Sequence, residues 1–331
     1  MLGKSLKRAP GRFRQFGGLR LLREYARYGI LWKTIGVTLM GFLKGKPLKE
    51  IYSEISRLIT PAIQKKYRAA VPEVIERYKD AAVSREKSDI VWFCWLQGMD
   101  GAPELVKKCH ANLECYLEGK SIIVIDEGTL GQYVTLPDII VERWKKHQIP
   151  AALYSDIIRL ELLIKYGGTW IDSTVLCTGT SFRFQGEIHS IQEYLDADLF
   201  LFQFRKPTEN TFRGISNWFI TARAGHPLLL MVRDMLVKYW EENDCVLSFF
   251  IFHIFFSMIV EQKPSLIENI PYGYSFNSLF LENHLGDEFN NEKWERLVAQ
   301  VCFHKMTYRL DKRITKTPGN YYDMIFRKGI C

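Results

Sequence analysis

The segment YSDIIRLELLIKYGGTWIDSTV, Tyr154 to Val175, joins an apolar helical run to a short strand through a Gly-Gly pair. Asp156 and Arg159 stand three residues apart, so on a helix they share one face. The next positions of that stripe, Leu162 and Leu163, are apolar and suited to anchoring it on a sheet. Gly167-Gly168 ends the helix, because glycine tolerates the left-handed turn that a helix end often requires. The chain then returns as the strand TWID, whose last residue, Asp172, is expected to emerge at the sheet's edge. Two carboxylates and a guanidinium are thereby expected over one crevice. The same spacing also suits a helix-surface salt bridge plus a turn aspartate capping Thr174 or Val175.

The flanking sequence supplies the context. SDIVWFCWLQG (Ser88–Gly98) is an apolar, aromatic run ended by glycine and reads as a buried first strand. A helical period over Ala102–Gly119 leads to a second strand, KSIIVIDEG (Lys120–Gly128), and a further helix is expected over Pro137–His147. ADLFLFQF (Ala197–Phe204) and the segment from Ser216 to Leu236 read as more strand followed by helix. Alternating strands and helices predict an α/β domain with a largely parallel sheet. Polar residues gather where the strands end, which is where open sheets of this kind bind ligands.

The basic character of the chain sits at one end. The 331 residues carry a net charge of +8, yet residues 1–50 alone hold twelve Lys/Arg against two Asp/Glu. The remainder is slightly acidic, so the basic arm points to a polyanionic surface as its partner. A nucleic-acid role is not expected, given that acidic remainder and the absence of a binding motif. Residues 1–85 read as helical, with breaks near Gly45–Pro47, Pro61 and Pro72.

Two apolar stretches, Ile30–Leu43 and Val246–Val260, are both shorter than the roughly 20 residues a spanning helix needs. The second, punctuated by Ser248, His253 and Ser257, reads as a buried core helix. The first carries Trp32 and Phe42 among lysines and arginines and reads as a helix on an anionic leaflet. Packing on its own protein or on a second copy, in a homo-oligomer, is the competing reading. The seven cysteines occur singly without a CxxC pair, as reduced thiols of a cytoplasmic protein would. The first residues lack the pattern of a secretory signal. Expected, therefore, is a cytoplasmic protein lying peripherally on the inner face of the plasma membrane.

The segment Ser155-Asp156, Arg159, Leu163, Gly167-Gly168, Trp170, Asp172 and Thr174 resembles the donor-binding core of glycosyltransferase family 32. It looks closest to the capsular polysaccharide synthesis proteins grouped with that family. VWFCWLQG is similar to the family's first strand, and HKMTYR (His304–Arg309) to its closing signature. The resemblance implies a GT-A-like, Rossmann-like domain over residues 88–331, behind a basic helical extension over residues 1–87. It implies Trp95 packing on a nucleotide base, with Gln97 and Gly168 also on the donor. Asp156 and Arg159 would hold hydroxyls of the transferred sugar. Asp172 stands at the first carboxylate of the family's DxD motif, which serves ribose, sugar and a divalent cation. Thr174 replaces the second, so Mn²⁺ or Mg²⁺ held by Asp172 and Thr174 is expected to bind weakly, or Lys305 to share its task. His304 and Lys305 are implied as diphosphate contacts, and Asn217 with Trp218 as sugar contacts competing with a core role. His253 reads as a core histidine and His226 as a helix-start residue.

The function so implied is retaining transfer of a hexose from a nucleotide diphosphate-sugar, UDP-linked, to a lipid-linked repeat of a surface polysaccharide. Two rivals are a catalytically silent scaffold subunit, for which Thr174 argues, and a sugar-phosphate transferase. The latter lacks a recognisable set of phosphate-activating residues.

Overall fold

Among residues 18–203, 214–273 and 275–330, which the computed structural model describes, the organising element is a five-stranded sheet. In chain order the strands are β1 (Ile90–Cys94), β2 (Ser121–Ile125), β3 (Gly168–Asp172), β4 (Val175–Cys177), β5 (Ser181–Phe184), β6 (Glu187–Ser190), β7 (Leu199–Gln203), β8 (Ile215–Ala222) and β9 (Phe303–Lys305). The sheet order is β2-β1-β3-β8-β7, with β1 parallel to both β2 and β3 and β8 antiparallel to β3 and β7. Strand β8 alone is reversed, so the expected α/β class with a largely parallel sheet is met. The apolar run of β1 follows from its place between two strands, buried on both faces.

The chain divides into two compact units. The sheet-bearing unit is drawn from Ala82–Thr135, Glu161–His226 and Ile267–Cys331. Its core packs Val91, Phe93, Ile171, Phe200, Phe219 and Phe303 together. The break before β3 is fixed by sterics. Gly167 and Gly168 have φ of 66° and 89°, and a Cβ on Gly168 would lie 2.3 Å from the Ile90 carbonyl oxygen. The Trp92 indole donates to the Gly167 carbonyl at 2.9 Å and satisfies the end of the helix.

The helical unit is drawn from Met1–Ala81, Leu136–Leu160 and Pro227–Leu266. Helix Leu48–Tyr67 buries Ile51, Ile55, Ile59, Ile63 and Tyr67, one stripe at a spacing of four. The break expected near Pro61 does not occur, because Pro61 lies on the exposed side of this helix while the isoleucine stripe holds both halves down. The break expected near Pro72 falls just before it. Pro72 occupies the first turn of helix Ala70–Arg77, where no intrahelical N–H is needed. Glu24 is fully buried and held by Arg27 at 2.7 Å and Arg23 at 3.1 Å, and Arg23 also reaches Asp244 at 2.7 Å. Of the stretch Val246–Val260, Val246, Leu247 and most of helix Ile251–Gln262 are core as expected, while Phe249 and Phe250 just before the helix are exposed. No helix among the described residues is long and apolar enough to cross a membrane. The six described cysteines are free thiols, all buried except Cys115.

Candidate active site

The closing residue of β3 is the centre of the arrangement. Side chains two apart on a strand share a face, so Trp170 stands beside Asp172 and its indole donates to Asp172 Oδ1 at 2.8 Å. Just beyond, the chain turns into β4, which pairs with β9 so that Val175 faces Lys305. That register carries the Lys305 ammonium between the two polar residues of the D-x-T segment. Nζ donates to Asp172 Oδ2 at 2.7 Å and to Thr174 Oγ1 at 2.7 Å. Asp172 and Lys305 retain 23% and 19% side-chain exposure, enough for a ligand to reach them. The backbone closes the loop, with Met306 N–H donating to the Thr174 carbonyl at 2.9 Å.

At the same end of the sheet, β1 terminates in Cys94, paired with Asp172, and the chain continues into Trp95. The half-buried Trp95 ring meets Tyr308 edge to face, with centroids 5.1 Å apart, and Arg309 lies 5.5 Å from the Tyr308 ring. Gln97 is exposed on the turn that follows β1. Asp126, where β2 ends, accepts from the Thr129 and Gly128 N–H groups and the Thr129 hydroxyl. These bonds hold its carboxyl below the usual range. In the sequence Asp126 was legible only as the polar end of the second strand, and Tyr308 only as part of the closing signature. The signal for Tyr308 was its place three residues past Lys305 in the closing signature.

Two expected donor contacts are corrected. Gly168 lies at the opposite end of β3 from Asp172, pressed against Ile90, so its role is close strand packing. His304 is fully buried, its Nε2 is 2.9 Å from the Thr178 hydroxyl, and burial pushes it down to about 3. Strand alternation sends Lys305 and its neighbour His304 to opposite faces, so they cannot both reach a phosphate. His304 is a neutral buttress beneath β9. Trp218 is also core, stacked on Phe202 at 4.7 Å, while Asn217 is half-buried on β8.

Asp156 and Arg159 belong to the helical unit. Both are buried, at 4% and 3% exposure, and they pair at 3.1 Å, with Ser155 Oγ accepting from Arg159 at 3.2 Å. The i, i+3 face expected from the sequence is therefore real, and it is an enclosed ion pair. Burial, with the Arg159 guanidinium nearby, pushes His253 down to about 4, as suits the core histidine expected.

The residues present do not make the expected Mn²⁺ or Mg²⁺ site. The place between Asp172 and Thr174 is taken by the Lys305 ammonium, which would repel a divalent cation, and Thr174 offers only a neutral oxygen. Among the described residues no group of three His, Cys, Asp or Glu is arranged to hold a metal.

No curated protein matches the sequence. Among solved structures the chain is similar to a PaToxG glycosyltransferase, at 11% identity and a TM-score of 0.36, over 63% of this chain and 80% of that one. The model of the family described as capsular polysaccharide synthesis protein matches residues 41–325, and the chain belongs to that family.

Proposed function

We propose that the protein is a glycosyltransferase of surface-polysaccharide synthesis. It moves a hexose from a nucleotide diphosphate-sugar, UDP-linked, to a lipid-linked repeat on the cytoplasmic side of the membrane, with retention at the anomeric carbon. Family membership and the Asp172–Lys305–Thr174 cluster at the strand ends support this reading, and the cluster is the observation that carries it.

The chemistry follows from the groups present. Breaking the bond between the anomeric carbon and the diphosphate oxygen throws negative charge onto the leaving group. A fixed cation where that charge develops lowers the barrier, because it needs no reorganisation at the moment of reaction. Lys305 supplies the cation, and Asp172 with the Thr174 hydroxyl aims it. Asp172 Oδ1, steadied by the Trp170 indole, remains the hydroxyl acceptor for ribose or sugar. Trp95 and Tyr308 form an aromatic corner for the base, a contact worth about 1–3 kcal/mol when a ring stacks on a base. The acceptor hydroxyl attacks the face the leaving group vacates, and its proton passes to the departing phosphate oxygen. For Asp156 and Arg159 the proposed role is holding hydroxyls of the transferred sugar.

The test is nucleotide release from UDP-hexoses by the purified protein in EDTA. Release that persists in EDTA and is lost in Asp172→Asn supports the reading. A folded protein that binds no nucleotide-sugar is the silent scaffold instead.

A further inference from the structure

Helix Leu31–Leu43 reverses the usual arrangement of a water-facing helix. Its buried positions are the small residues Thr34 and Gly41. Outward stand Trp32 and Leu43, each 81% exposed, Leu39 at 59%, Met40 at 51% and Phe42 at 46%. At about 100° per residue these five side chains, with Ile35 among them, fill one continuous arc of roughly 160°. Gly41 explains the inner face, since a Cβ there would lie 2.6 Å from Ile51 Cγ1 on the next helix. Large apolar side chains side by side in water are unfavourable, and a patch of them marks an interaction surface.

Charge says what that surface meets. The helix carries no acidic residue, Lys33 and Lys44 border the apolar arc, and Lys46 and Lys49 follow. Lys33, Lys44 and Lys46 stand around a groove of about 450 Å³ that Gly36, Val37, Leu58 and Glu54 also line. Lys46 is paired with Glu54 and, at 3.0 Å, with Glu50, so Lys33 and Lys44 carry the positive charge of this face. We propose that this face lies on an anionic lipid leaflet. The apolar arc sits at the depth of the headgroups and upper acyl chains, and Lys33 and Lys44 hold lipid phosphate. One headgroup, with the start of its chain, occupies the groove. Lysines beside an apolar face that carries an aromatic ring are what a helix lying in the interface presents. A second copy of the chain fits this face less well. A twofold pairing repeats the same patch on both partners and sets Lys33 and Lys44 against like charges. The inference concerns the helical unit alone and stands independently of the transferase reading.

The test is sedimentation of the full chain with vesicles of phosphatidylcholine alone or mixed with phosphatidylglycerol. Binding is expected to the mixed vesicles and to weaken with salt. Trp32→Ser/Leu43→Ser should weaken it about tenfold or more. Lys33→Glu and Lys44→Glu should each weaken it at least about fivefold, the value of one lysine at an anionic surface. All four side chains are exposed, so melting temperature should hold; if the double serine variant does not fold, the single lysine variants carry the test. Equal binding to both vesicle types, or binding untouched by the variants, overturns the proposal. So does full competition by millimolar inorganic phosphate, which would mean a site for phosphate alone. A mass in solution that halves on Trp32→Ser would show that a second copy covers the face, and also overturns it.

Discussion

Replacing Lys305 by methionine removes one charge and keeps the stem of the side chain. In the wild type that charge lies 2.7 Å from both Asp172 Oδ2 and Thr174 Oγ1, poised over the strand ends. A unit charge about 4 Å from charge developing on a leaving diphosphate is worth about 4 kcal/mol at an effective dielectric of about 20. Removing one donor from an oxyanion site costs about 3–4 kcal/mol. At about 1.4 kcal/mol per factor of ten, turnover should fall about 10²–10³-fold. Stability should change by only about 1 kcal/mol, because the pair is partly exposed and screened and Asp172 keeps the Trp170 indole. Nucleotide release from a UDP-hexose, read beside the melting curve, measures both. Lys305→Ala adds a sharper outcome. With the ammonium gone, the place between Asp172 and Thr174 is open, and Mn²⁺ should stimulate the variant while leaving the wild type unchanged. A folded Lys305→Met protein with turnover within about threefold of wild type would refute the reasoning.

Four further outcomes follow from named contacts. Trp95→Ala or Tyr308→Ala should weaken UDP binding by about 1–3 kcal/mol, equally for UDP and UDP-sugar in a titration, because the contact is to the base; unchanged affinity would move both rings into the core. Arg159→Lys should cut transfer while sparing UDP binding, since it loses the planar fork. Arg159→Ala should also cost about 3–5 kcal/mol of stability by removing the ion pair that Arg159 makes with buried Asp156, and wild-type turnover in folded Arg159→Lys would make the pair purely structural. Gly168→Ala should lower the melting temperature steeply through the clash with Ile90, with UDP affinity of the folded fraction intact. Below pH 6.5 the unfolded chain protonates histidines that the fold keeps neutral, His304 at about 3 and His226 and His253 at about 4. The unfolded state then binds more protons, so stability falls as pH drops, by up to about 1.4 kcal/mol per pH unit for each histidine; a melting temperature flat from pH 7 to 5 would contradict this.

The strands and the break before β3 were legible because their signals are local. Apolar runs bounded by glycine gave β1 and β3, and Gly167-Gly168 could be read from the backbone freedom they supply. The strand-end aspartate and its threonine were legible for the same reason. What the sequence could not display was register. Only the β4–β9 pairing places Lys305 against Thr174, across 131 positions of chain. The same pairing decides that Lys305 faces the site and His304 the core, a distinction that two adjacent letters cannot carry. Pro61 misled for a related reason, since a helix break read from one residue ignores the isoleucine stripe that tertiary packing holds in place. The outward face of Leu31–Leu43 was half visible. Its apolar letters were plain, but which of them turned inward depended on Gly41 meeting Ile51.

The most direct test of the central claim is nucleotide release from a panel of UDP-hexoses by the purified full chain in excess EDTA, with Asp172→Asn beside it. The account predicts that wild type releases UDP from at least one donor at a rate unchanged by the chelator, and that folded Asp172→Asn does not. Absence of nucleotide release from every donor, with or without Mn²⁺, or wild-type release by Asp172→Asn, would contradict it.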